Sequence, residues 1–367
     1  MSLDLISIRR ELHQVPELAF HEFETKAILL KYLKTLPEIN IIEFLNSPGI
    51  LVEYSQGNGL YRLFRADMDA LPVKETTGCD FMSRNEGLMH SCGHDIHMTI
   101  LLGLIEEITK MKPATNLLFL FQPAEEGMGG AESILAEGFI QQYPVESVYA
   151  LHIASGMPVG TVSSRAGVFF GVPQEFNVKF LGITAHAVFP EKGIDALRAG
   201  RIFLDLMDYD IDELSKKEKV IFHTGKMEAG TVRNVIPDFC KMEGTHRALD
   251  KKTSSLINGY ILNNCDIVQE ETGAKYEVDF LQTYDPVVND PSLVEKLRNI
   301  CQSLNIEYQE AEPSLTGEDF GFFTTIYPGL LFWLGSGCDF PLHSDKFLPS
   351  EDAIPIGINI FKQLALK

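Results

Sequence analysis

Leu117-Leu118-Phe119-Leu120-Phe121 is an unbroken run of large apolar residues, and it ends in Gln122-Pro123-Ala124-Glu125-Glu126-Gly127. A run this short and apolar has no polar face to offer water. It reads as a strand covered on both sides, which is the signature of a parallel sheet. Val148 to Ile153 reads the same way, and helices are expected over Ile96–Lys110 and Gly129–Glu137. Strands that alternate with helices predict an α/β fold, a largely parallel sheet flanked by helices. An amphipathic helical start over residues 3–34, broken at Pro16, precedes it. Ile50–Tyr54 and Leu60–Arg65 flank Gly57-Asn58-Gly59 and read as a hairpin.

From Val172 the texture changes to strand–helix–strand–strand–helix–strand, ending near Leu281-Gln282. That order is the ferredoxin-like α+β pattern. The expectation is therefore one domain from residues 1–171 plus 283–367, with a second, inserted domain at 172–282.

Bulk properties narrow the function. With 51 acidic against 31 basic residues, the net charge is −20. Such a field repels nucleic acid and anionic lipid, so neither is an expected partner. No signal peptide and no membrane span are read from the sequence, and the six scattered cysteines have no disulfide spacing, so a cytoplasmic protein is expected.

The chemically suggestive residues fall at the carboxyl ends of expected strands, where open α/β sheets place their sites. Asp67 ends Arg65-Ala66-Asp67-Met68-Asp69, Glu125 and Glu126 follow the apolar run, and His152 follows Val148-Tyr149-Ala150-Leu151. Cys92 and His94 stand two apart in His90-Ser91-Cys92-Gly93-His94-Asp95, at an expected helix start that favours a thiolate. Thiolate, imidazole and carboxylate together suit a divalent transition metal. Adjacent glutamates let one bind metal while the other handles protons. His13, His21, His223 and His246 read as structural, and His90 and His97 as structural or exposed rather than as ligands. In the inserted domain, His186, Asn234 and Arg247 suit an oxyanion and a carboxylate, or are ordinary surface groups. Thr316-Gly317-Glu318-Asp319-Phe320 is either a helix start whose amides, Gly317 among them, face a ligand or a plain cap.

Arg65-Ala66-Asp67-Met68-Asp69-Ala70-Leu71, Met89-His90-Ser91-Cys92-Gly93-His94-Asp95 and Phe121-Gln122-Pro123-Ala124-Glu125-Glu126-Gly127 resemble the metal-dependent amidohydrolases of the aminoacylase and carboxypeptidase superfamily, in its hippurate hydrolase branch. His152, the His186 segment, Asn234-Val235-Ile236-Pro237, Thr316–Phe320 and Leu342-His343 follow in the expected order. The resemblance implies Cys92, His94, Glu126, His152 and His343 as ligands of two divalent ions (zinc, cobalt, nickel or manganese), with the cysteine bridging. It implies Glu125 as general base and then acid, Asp67 as a supporting carboxylate, and a small N-acylated amino acid as substrate. It also implies that the inserted domain is a lid and a homodimer surface carrying the substrate contacts His186, Asn234 and Arg247, with Gly317 as a further substrate contact outside it. Two departures from the branch, Leu181–His186 with fewer glycines and His246 where an apolar residue is usual, touch the expected substrate contacts.

Overall fold

The computed structural model describes residues 2–367. They form two compact units, the first reaching to Phe169 and continuing over Val287–Glu312 and Asp319–Lys367, the second comprising Phe170–Pro286 and Pro313–Glu318.

The first unit is built on a largely parallel sheet. Asn116–Gln122, Tyr61–Asp67, Val145–Ala154 and Gly329–Gly335 lie side by side at its centre, all parallel. Asn116–Gln122 is buried at every position, as its composition demands. Helices Leu5–His13, His94–Met111 and Ala353–Leu366 contribute the apolar faces that cover the sheet. Between the layers Phe64 stacks on Tyr149 with ring centroids 4.9 Å apart, and Phe361 meets Phe64 edge-on. The α/β class expected from the alternation of strands and helices is what the chain adopts.

The hairpin expected around Gly57-Asn58-Gly59 does not form. Ile50–Ser55 and Tyr61–Asp67 are separated by Asn116–Gln122, which runs antiparallel to the first and parallel to the second. A strand that is apolar on both faces gains most from a central place, with ladder bonds on both edges. Asn116 closes the turn instead: its Oδ1 accepts from Gly57 N at 2.9 Å and its Nδ2 donates to Gly59 O at 3.2 Å.

The second unit has the expected strand–helix–strand–strand–helix–strand order. Its antiparallel sheet runs Lys275–Thr283, Val172–Leu181, Phe239–Ala248, Ile221–Ala229 in space. Val172–Leu181 alternates buried and half-exposed residues, as a sheet with one covered face requires. Helices Ala196–Ser215 and Lys251–Thr272 supply the cover and are capped by Asp195 and Asp250. Among the described residues no helix is long and apolar enough to cross a membrane.

Candidate metal centre

Three adjacent parallel strands deliver their carboxyl ends to one place. Tyr61–Asp67 brings Asp67, Asn116–Gln122 leads into Glu125 and Glu126, and Val145–Ala154 brings His152. Helix His94–Met111 starts beside them with Gly93 at φ 85°, a left-handed turn that suits glycine. Cys92 Sγ lies 3.4 Å from His152 Nε2. Cys92 belongs to two clusters of metal-ligating atoms, one with His94 and His152 and one with Glu126 and His343, each within 4.8 Å. His94 forms a further such cluster with Glu125 and Glu126.

The hydrogen bonds select which atoms face the centre. His94 Nδ1 donates to Asp69 O at 2.9 Å, which leaves Nε2 as the ring atom a cation could take by displacing its proton, and that atom is buried without a hydrogen-bond partner. Glu126 Oε1 is likewise buried and without one, 3.3 Å from His343 Nε2. An orphaned imidazole nitrogen and an orphaned carboxylate oxygen beside a thiol are what a cation-binding pocket leaves when its protein groups are counted alone. The donor set of nitrogen, sulfur and oxygen fits a divalent transition metal. His343 completes the group from a loop: it holds φ 68°, and its N–H donates to Ser91 O at 2.9 Å.

His97 is not available as a ligand. Its Nε2 accepts from Ile153 N at 2.9 Å, which leaves the proton on Nδ1, donated to Asp67 Oδ1 at 2.6 Å. Asp67 takes a second donor, Arg65 Nη1, at 2.7 Å. Burial opposes its charge, but His94, His97 and Arg65 hold the carboxyl well below the usual range. Asp67 thus accepts from His97 and Arg65 as a carboxylate whose ionised form they favour.

The helix start does not by itself make Cys92 a thiolate. Burial and the Glu126 and Glu125 carboxylates push the thiol well above its ordinary pKa. A cation beside the sulfur would favour its ionised form. His94 shows the complementary effect: despite burial, Asp67 and Asp69 raise it to about 10, which marks a place that attracts positive charge.

Several supporting groups carry no signal in a linear reading. Asp319, expected in a helix start or cap, turns inward and is fully buried. It accepts from Arg65 Nη2, Gln122 Nε2 and Ala131 N. Glu22 accepts from Ala124 N at 2.8 Å, and Asp69 from Glu126 N at 2.9 Å. The segment bearing both glutamates is therefore held by three carboxylates from distant parts of the chain.

The remaining candidates lie in the second unit. His186 is exposed; its Nδ1 accepts from Val188 N at 3.2 Å, so Nε2 carries the proton and can donate. Asn234 is exposed too, on the segment that pairs with His186 through Val235 and Ala187. Arg247 Nη2 pairs with Glu175 at 3.0 Å. His246 faces the other side of the same strand, buried, 2.7 Å from Asn258 Oδ1. The unusual residue at 246 therefore belongs to the helix-covered face, not to the face of Arg247. Gly317 packs on Pro173, whose Cγ would stand 2.5 Å from any added Cβ, which explains a glycine there by close approach.

Residues 63–367 match peptidase family M20/M25/M40. The chain is 39% identical over 363 residues to N-acetyldiaminopimelate deacetylase of Oceanobacillus iheyensis, covering 98% of each. It is 39% identical over 366 residues to the same-named protein of Pediococcus pentosaceus, covering 97% of this chain and 95% of that one. A dinuclear metal binding peptidase of the M20 family from Bacillus subtilis superposes with a TM-score of 0.86 at 28% identity, over 99% of this chain and 96% of that one.

Proposed function

The chain belongs to peptidase family M20/M25/M40, and on that premise we propose that it hydrolyses the acetyl amide of N-acetyldiaminopimelate. The products are diaminopimelate and acetate, a step toward lysine and cell-wall precursors. The observation that carries this reading is the identity of 39% over essentially the whole chain to a protein named for that activity. The buried Glu125, within ligand distance of His94 and Glu126, supports the chemistry.

We assign Cys92, His94, Glu126, His152 and His343 as the residues that would hold two divalent ions, zinc, cobalt, nickel or manganese; Cys92 sits in both ligand clusters. Such ions supply Lewis acidity toward an amide carbonyl and toward water. Glu125 takes the proton of the attacking water and returns it to the leaving amine. Asp67 stays ionised and holds His97, which in turn ties down Ile153 beside His152. The protonated Nε2 of His186 donates to the oxyanion, with Asn234 beside it, and Arg247 and the Gly317 segment meet a substrate carboxylate. The second unit acts as lid and homodimer surface, and the enzyme works in the cytoplasm.

A kinetic panel on metal-reconstituted enzyme tests the assignment. N-Acetyldiaminopimelate is expected to give a higher kcat/KM than hippurate or dipeptides. Preference for hippurate marks a broader N-acyl amino acid hydrolase, and preference for dipeptides a small-peptide carboxypeptidase, the reading favoured by the Bacillus subtilis neighbour. Either outcome overturns the substrate.

A further inference from the structure

We propose that His13, Glu75 and Cys79 form a second cation site, separate from the metal centre, that takes one thiophilic divalent ion such as zinc. His13 ends helix Leu5–His13, while Glu75 and Cys79 lie on the segment that connects strand Tyr61–Asp67 to helix His94–Met111. None of the three belongs to the ligand set assigned above.

His13 is fully buried, and its Nδ1 donates to Asp95 Oδ2 at 2.8 Å. A carboxylate behind an imidazole is the arrangement that fixes the tautomer of a metal-binding histidine. Asp95 is itself balanced by Arg9, whose Nε lies 2.9 Å away, so its charge is already answered. The other face of His13 is turned to Glu75, with Nε2 3.2 Å from Oε1. Glu75 Oε2 accepts from Ser83 N at 2.7 Å, which anchors the carboxylate and leaves Oε1 for this cluster.

Oε1 is oversubscribed. Three donors converge on it: His13 Nε2, Thr77 Oγ1, and Cys79 Sγ at 3.7 Å. A carboxylate oxygen has two lone-pair positions in its plane, so three protons cannot all be well placed. A single cation resolves the conflict by replacing two of them. One proton leaves His13 Nε2 and one leaves Cys79 Sγ, both to solvent, and the ion takes the freed nitrogen, the thiolate and Oε1.

The spacing agrees. With zinc–nitrogen and zinc–oxygen bonds of about 2.0 Å and zinc–sulfur of about 2.3 Å, a tetrahedron sets N···O and S···O edges near 3.3 and 3.5 Å. The corresponding separations are 3.2 and 3.7 Å. Thr77 Oγ1, 3.5 Å from Cys79 Sγ, stands beside the fourth position. Cys79 is half-buried, so the site has an entrance, whereas His13 and Glu75 are buried. A bound ion would join the first helix to the Glu75–Ser83 segment, which is a structural role, and would leave the hydrolytic chemistry alone.

The test compares tightly bound zinc per chain in wild type and Cys79→Ser after reconstitution and desalting. The variant is expected to hold one ion fewer and to keep turnover within about twofold, since Cys79 touches none of the catalytic groups. The comparison is a difference, so it stands whatever number the metal centre itself holds. Cobalt gives a second readout: a cobalt–thiolate absorption is expected to persist in Cys92→Ala and to vanish in Cys92→Ala/Cys79→Ser. Equal zinc content in wild type and Cys79→Ser overturns the site. So does an extra ion that washes away on desalting, or a Cys92→Ala protein that binds cobalt without a thiolate band.

Discussion

Asp319→Asn perturbs a point where three segments meet while barely changing shape. In the native chain Oδ1 accepts from Arg65 Nη2 at 2.9 Å and Gln122 Nε2 at 3.0 Å, and Oδ2 accepts from Gln122 Nε2 and Ala131 N, both at 2.8 Å. Asparagine keeps one acceptor and turns the other into a donor that faces donors. Arg65 keeps its pair with Asp67 and loses the one with Asp319. Removing one member of a buried ion pair costs about 3–5 kcal/mol. At roughly 2 °C per kcal/mol for a chain of this size, the unfolding midpoint is expected to fall by about 6–10 °C. Catalysis is expected to fall as well, because Gln122 and Ala131 bracket the loop bearing Glu125 and Glu126. A displacement of about 1 Å in such a loop costs on the order of a hundredfold. The expected result is a kcat reduced by about tenfold to a hundredfold, with KM changed much less, because the loop places reacting groups. Steady-state kinetics and thermal unfolding of the metal-loaded variant measure both. A variant with wild-type kcat and an unchanged midpoint refutes the clamp.

Glu125→Gln is expected to lose about a hundredfold or more in turnover while keeping its metal, and near-normal turnover in a metal-replete sample removes Glu125 as the base. Cys92→Ala is expected to lower the number of ions held per chain by elemental analysis, and an unchanged content excludes it as an essential ligand. Arg247→Ala is expected to weaken turnover of an acylated amino acid more than of the analogue without that carboxylate, whereas His186→Ala lowers kcat for both; wild-type kinetics in both variants leaves these residues as surface groups. Glu22 gives a pH prediction, since burial and the Asp69 charge raise its carboxyl from 4.5 to about 8. The native state holds this proton more tightly than the unfolded one, so its contribution is present below 4.5 and is lost as pH rises toward about 8. Glu22→Gln is therefore expected to match wild type in melting at about pH 5 and to exceed it by on the order of 1–3 kcal/mol at about pH 9; parallel pH profiles contradict this.

The sheet was legible because composition dictates it. Nothing in Leu117–Phe121 can face water, so a doubly covered strand was the only economical reading, and the residues at its end were worth weighing as chemistry. Register was not legible. The turn at Gly57-Asn58-Gly59 suggested a hairpin, and only the competition of a more apolar strand for the centre explains why the flanking strands part. Cys92 and His94 stood out by their neighbours, but the thiol's protonation depends on the Glu125 and Glu126 charges folded around it. Asp319 was invisible as a support because its partner Arg65 lies 254 residues away, a distance over which periodicity carries no information. His13 read as structural for the same reason: Asp95 and Glu75 reach it only in the folded chain.

Ala124, Gly127 and Gly129 all adopt left-handed backbone conformations, at φ 58°, 83° and 67°. Turns of this kind commonly gather amide groups into a concavity that captures small anions. Here the amides of Ala124, Glu126 and Ala131 already point at Glu22, Asp69 and Asp319. Those three donors are therefore occupied by the protein's own carboxylates before any product forms. Acetate released beside Glu125 finds no cradle in them, so inhibition by acetate and competition by phosphate buffers are expected to track the metal centre and the His186 donor, not these three amides.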